Sequence, residues 1–138
     1  MTLGDPVSTD RTEEVMRTYL SQVLGERRFD LISTFVAPDM VDHTQSIRGP
    51  EALDAHARGF CANIPDVTIE VVDVIATDDA AVGVWRWSGT PGQPMGVSAN
   101  GSDIYPHLVA SIFKFRDGML VDYRPFVDAM EVRSQVVA

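Results

Sequence analysis

Four side chains in this sequence could move a proton at neutral pH: Asp128 and the three histidines, His43, His56 and His107. An imidazole titrates close to physiological pH, so any histidine that a substrate reaches can act as acid or base. Asp128 ends the strand-like stretch Val121-Asp-Tyr-Arg-Pro-Phe-Val127 and opens the short helix expected over 129–134. A carboxylate there can cap the helix by accepting from its free N–H groups. It can also face an apolar pocket, where desolvation would raise its pKa toward a useful value. The two roles are compatible.

The histidines differ in setting. Residues 105–115 alternate as a strand, so Tyr105, His107, Val109, Ser111, Phe113 and Phe115 share one mostly apolar face. His107 there is either a hydrogen-bonded core histidine or a proton carrier. His56 shares the inner face of a helix with Leu53, Ala57 and Phe60, either filling core space or lining a pocket. His43 follows the short extended piece from Met40 and can line the pocket or cap a turn. Trp85 and Trp87 flank Arg86 on one face of a strand, which suits core, a subunit interface or stacking on a planar ligand. Cys61, the single cysteine, reads as inert packing. The histidines lack metal-ligand spacing, so no metal is expected. No phosphate-binding glycine loop or nucleophile elbow is present.

The elements that must position these groups can be read from periodicity. Residues 1–10 are expected to form a flexible tail, and 11–138 a single domain. Val15, Met16, Tyr19, Leu20, Val23 and Leu24 recur at helical spacing, which predicts a helix over 11–25. A short helix is expected over 28–35, ended by Ala37-Pro-Asp. A third begins at Gly49-Pro-Glu, with proline tolerated in the first turn, and ends at Pro65. From Val67 the period becomes two, predicting strands over 67–75, 80–88, 105–115 and 119–127. Asp117-Gly118 predicts a tight hairpin turn. Residues 89–104 form a loop of about sixteen residues, long enough to suggest service to a site or an interface. Helices followed by antiparallel strands define an α+β domain, and three helices against one sheet face can cup a small-molecule pocket.

Composition narrows the partners. With 11 basic and 20 acidic residues the net charge is −9, which argues against nucleic acid and anionic membrane surfaces. The first ten residues lack the pattern of a secretory leader, and no run approaches the length of a membrane span. One unpaired cysteine fits a reducing compartment, so a cytoplasmic location is expected.

Four stretches together resemble the SnoaL-like polyketide cyclase family, within the nuclear-transport-factor-2-like superfamily. They are Phe35-Val-Ala-Pro-Asp-Met-Val-Asp-His43; Gly49-Pro-Glu-Ala-Leu with Ile64-Pro-Asp-Val-Thr-Ile-Glu-Val; the hairpin Phe115-Arg-Asp-Gly-Met-Leu-Val-Asp-Tyr; and Asp128 with Met130, Val132 and Gln135. The resemblance spans about residues 12–136. It implies a cone-shaped α+β fold, with three N-terminal helices cupped against a curved antiparallel sheet and a short C-terminal helix. It further implies a deep apolar pocket, a homodimer and no cofactor. In the cyclases an Asp before the terminal helix is the general acid/base of an intramolecular aldol closure, and Asp128 matches that position. By hairpin counting, the cyclases' assisting histidine falls near Lys114 rather than His107. Steroid isomerases place their strand acid where Ser111 stands and their base near His43. Limonene-type epoxide hydrolases share an ending like Tyr123-Arg124 and Asp128, but the Arg-x-Asp pair they need is replaced by Trp85-Arg86-Trp87-Ser88.

The expected function is therefore that of a cofactor-free enzyme of secondary metabolism, closing a ring in, or isomerising, a hydrophobic substrate. Asp128, His107 and His43 are the expected catalytic groups. His56, Phe60, Tyr19, Trp85, Trp87, Tyr105 and Ser111 are the expected substrate contacts. The alternatives are a non-catalytic binding protein for a hydrophobic ligand and an epoxide hydrolase-like enzyme.

Overall fold

The computed structural model describes residues 6–137, with side chains from residue 9. Residues 1–5 of the expected tail lie outside the described residues. The remainder of that tail is already helical: α1 runs Pro6–Thr18 and continues as a π-helical segment, Tyr19–Leu24. The wider turn keeps Tyr19, Leu20, Val23 and Leu24 all buried on the sheet side. A 3-10 helix, Phe29–Thr34, replaces the short helix expected there. Then follow β1 (Val36–Asp42), α2 (Pro50–Asn63), β2 (Thr68–Ala76), β3 (Ala80–Ser88), β4 (Val97–Ser98), β5 (Val109–Arg116), β6 (Met119–Val127), α3 (Ala129–Arg133) and β7 (Val136–Val137).

The main sheet has the order β1-β6-β5-β3-β2. Its four long hairpin-type strands pair antiparallel as expected, but β1 adds in parallel to β6, so the sheet is mixed rather than purely antiparallel. The extended piece expected from Met40 begins earlier, at Val36, and runs through Pro38. As an edge strand, β1 can leave an N–H out of the ladder, so a proline there loses little. Bulges between Val71 and Asp73 and between Lys114 and Phe115 bend the strands. Asp117 and Gly118 both have positive φ, 53° and 77°, the backbone that a two-residue hairpin turn requires.

Helix α1 packs on β2 and β3, and α2 packs on β1 and the 3-10 helix. Between them lies an aromatic core in which the Phe113 ring stands edge-on to Tyr19, Phe115 and Tyr123. Gly83 lets α1 approach β3, since a Cβ there would lie 2.7 Å from Met16 Sδ. The long loop after β3 is not structureless. Its β4 pairs antiparallel with β7, tying the loop to the C-terminal segment. No described helix is long and apolar enough to cross a membrane.

Candidate active site

Strand alternation along β1 buries Met40 and Asp42 and turns His43 outward. Asp42 pairs with Tyr123 of β6, so the two side chains start from neighbouring positions on one face of the sheet. A carboxylate 1% exposed has to be compensated by hydrogen bonds or a counter-charge. Three donors supply this. Thr44 gives its N–H (2.8 Å) and its hydroxyl (2.7 Å) to Oδ1, and His56 gives Nδ1–H to Oδ2 at 2.7 Å. Burial pushes the Asp42 carboxyl up, but the bonds from His56 and Thr44 outweigh it and hold the group below the usual carboxylate range.

The same contact defines His56. An ionised carboxylate only accepts, so Nδ1 carries a proton, and the tautomer this selects leaves the lone pair on Nε2. No described residue hydrogen-bonds Nε2. The ring stacks on Tyr123, with centroids 5.2 Å apart and planes at 24°. Carboxylate on one side and aromatic ring on the other fix the imidazole, an arrangement that makes a histidine an oriented base.

His56 opens onto a cavity of 470 Å³ between α2, the π-helical segment, the sheet and the C-terminal segment. Its walls are mainly apolar and aromatic, with Phe60, Trp85, Trp87, Val109 and Val132 among them. Phe60 meets both tryptophans edge-on, at 5.9 and 5.5 Å. Both indoles face inward, and Trp85 Nε1 donates to Ser111 Oγ at 3.0 Å. Ser111 is buried and reaches Tyr123 Oη at 3.5 Å. It supports the walls without lining the cavity. Tyr19 and Tyr123 line it with neutral phenols. Burial pushes Tyr123 up to about 12 and Tyr19 well above the ordinary tyrosine range. Both remain potential hydrogen-bond donors at neutral pH.

The structure divides the expected site residues into two groups. His56, Phe60, Tyr19, Trp85 and Trp87 converge on the cavity. Asp128, His107, His43 and Tyr105 do not. Asp128 is exposed and caps α3, its Oδ1 accepting from Glu131 N–H at 3.1 Å. It borders a shallow outer depression with Leu108 and Phe126, while its neighbours Val127 and Ala129 line the cavity itself. His107 falls short of the strand, which begins at Val109 rather than Tyr105. Its side chain is exposed, and its N–H is taken by the Glu131 carboxylate. His43 is exposed on the outer side, donating Nε2–H to Asp122 at 2.9 Å. Tyr105 is 54% exposed and reaches only a shallow groove beside Trp87. Among the described residues no group of His, Cys, Asp and Glu is placed to hold a metal.

Sequence reasoning missed Asp42 and Tyr123. The alternation Met40-in, Asp42-in, His43-out was available, and a carboxylate predicted inward has to find a partner. Helical spacing had already turned His56 to the same side.

Comparison with known proteins agrees with this architecture. A SnoaL-like polyketide cyclase from Jannaschia Sp. CCS1, so named, superposes with a TM-score of 0.78 at 20% identity, covering 97% of this chain and 96% of its own. TsrD from Streptomyces laurentii gives 0.76 at 19% identity, with 91% and 94% covered. An LEH-like epoxide hydrolase of M. tuberculosis gives 0.66 at 16%, with 91% and 89% covered. At these identities the likeness establishes the fold alone. No curated protein matches the chain in sequence. The family model for SnoaL-like polyketide cyclase matches residues 14–136. By that match over nearly its whole length, and by a fold of the nuclear-transport-factor-2-like type, the chain belongs to the SnoaL-like polyketide cyclase family.

Proposed function

We propose that the protein is an acid/base enzyme of polyketide cyclase type, with His56 as the group that moves the proton. The observation that carries this reading is the 2.7 Å contact between His56 Nδ1 and the buried Asp42 carboxylate at the wall of an apolar cavity. In it, His56 Nε2 takes a proton from a carbon next to a carbonyl. The resulting enolate oxygen accepts a hydrogen bond from the Tyr19 hydroxyl. The enolate carbon then forms a C–C bond to a second carbonyl of the same molecule, and the imidazolium returns its proton to the new alkoxide. Asp42 stabilises the imidazolium in between. The apolar walls favour a hydrophobic substrate and strengthen each of these interactions by excluding water. The same reading carries a role in secondary metabolism, a homodimeric assembly and a cytoplasmic site of action.

The test is proton exchange, which needs no knowledge of the natural substrate. In D2O the protein should exchange the α-hydrogens of an aromatic ketone such as 1-tetralone, followed by NMR. His56→Gln should lower that rate by about 100- to 10,000-fold, the usual contribution of a positioned proton carrier. Retention of full activity in His56→Gln, or its loss in Asp128→Asn instead, would return the chemistry to the C-terminal carboxylate.

A further inference from the structure

Among the described residues that line the cavity, Arg133 is the only one of the arginine, lysine, aspartate and glutamate types. It stands in the last turn of α3, beside the apolar Val132 and Val136 that also line the cavity. Most arginines of this chain already have an acid. Arg11 pairs with Glu14, Arg17 with Glu13, Arg28 with Asp30, Arg58 with Asp54, Arg86 with Glu70, Arg116 with Asp39 and Arg124 with Asp122. Arg27, Arg48 and Arg133 have no such partner among the described residues, although acids outnumber bases 20 to 11, and of these three only Arg133 lines the cavity. Glu131, two residues earlier, accepts the His107 N–H on Oε1 and makes no ion pair with Arg133. A guanidinium left without an acid, in a strongly acidic protein, at the edge of an apolar cavity is placed to receive an anion from outside the chain.

We infer that the cavity selects a ligand with an aromatic or polycyclic body and a carboxylate at one end, the carboxylate being read by Arg133. This rests on the proposed function for the identity of the site and names the substrate class within it. The flat body lies against Trp85, Trp87 and Phe60, and the planar guanidinium takes the carboxylate at two points, the geometry that distinguishes arginine from lysine. The negative field of the protein would repel an anion elsewhere on the surface. The carboxylate therefore orients the ligand, with its charged end at α3 and its ring system toward His56.

The experiment compares 2-naphthoic acid with its methyl ester by quenching of the fluorescence of the cavity tryptophans. Both probes share the ring system and differ in charge. The acid should bind about three- to tenfold more tightly than the ester, the range for a partly exposed but two-point ion pair. The preference should shrink at high salt. Arg133→Gln should abolish it by weakening the acid and leaving the ester unchanged, and Arg133→Lys should restore only part of it. Since Arg133 is exposed, both variants should keep the native circular dichroism spectrum. Equal affinity for acid and ester, or a preference that survives in Arg133→Gln, overturns the inference. His56→Gln separates it from the proposed function: the carboxylate preference persists there while α-hydrogen exchange is lost. A wild-type protein with the preference but no exchange keeps this inference and sinks the catalytic one.

Discussion

His56 of α2 and Asp42 of β1 meet through Nδ1 and Oδ2 at 2.7 Å, with the carboxylate buried and the imidazole 21% exposed. The pair joins a group sealed from water to one that water and ligands can reach. Such a contact sets the tautomer and aim of the histidine, and in the proposed reaction Asp42 acts as a positioning residue.

Asp42→Asn keeps the shape and removes the charge. It should lower the α-hydrogen exchange rate by about 100-fold, within the usual range for acid/base catalysis. The KM should change little. Asp42→Ala should in addition destabilise the fold by about 1–3 kcal/mol, because the Thr44 and His56 donors lose their acceptor. Steady-state kinetics and urea unfolding read the two effects separately.

Stability should fall in acid in part through Asp42. Its folded pKa lies below the ordinary carboxylate value, so the folded state binds its proton less readily than the unfolded chain does. The contribution is fully present above about pH 4, the unfolded value, and is lost as pH falls through the lower folded value. Asp30, Asp39 and Asp66 are lowered too, by bonds from Arg28, Arg116 and Thr90. Asp42→Asn should therefore flatten the pH dependence of unfolding free energy only in part. An unchanged acid slope in that variant would remove the assignment.

His43 and His107 serve as controls. Both are exposed, and the His43–Asp122 contact is a surface hydrogen bond of the kind worth about 0.5–1.5 kcal/mol at most. His43→Ala and His107→Ala should leave α-hydrogen exchange within about twofold of wild type and the unfolding free energy within about 1.5 kcal/mol. A large kinetic loss in either would show that the ring reaches the substrate.

Gln135 clasps the wall of the cavity. Its amide accepts from Tyr105 N–H at 3.0 Å and donates to Tyr105 O at 2.6 Å, while its own backbone carbonyl accepts from Ala99 N–H at 2.8 Å. Gln135→Ala should speed amide hydrogen exchange in 97–107 and 135–137 more than in β5 or β6. Its Nε2 also donates to Glu131 O at 2.9 Å, so global stability should fall by about 1–3 kcal/mol, the worth of three partly exposed hydrogen bonds. Uniform acceleration across the sheet would contradict a local clasp.

Tyr123→Phe tests the buried phenols. The ring would remain stacked on His56, but the bond to Ser111 would go. Unfolding free energy should drop by about 1 kcal/mol. Tyr123→Ala should cost about 3–5 kcal/mol, since it also empties the space among His56, Tyr19 and Phe113.

Much of this molecule is determined by short-range pattern. The period-two runs of β2, β3, β5 and β6, the Asp117-Gly118 turn, the shared face of Trp85 and Trp87 and the inward side of His56 all follow from a residue's immediate neighbours. Sequence pattern also led to the family. It did not show which of the candidate groups share a cavity, because alternation tells which face a side chain takes and says nothing of what lies across from it. Asp42, His56 and Tyr123 come together only when β1 adds in parallel to β6 and α2 folds back over both, a long-range pairing that no local window contains. Asp128 had two compatible roles by sequence. In the tertiary structure its carboxylate accepts from the N–H of Glu131 at the surface, while His56 lines the cavity in contact with the buried Asp42.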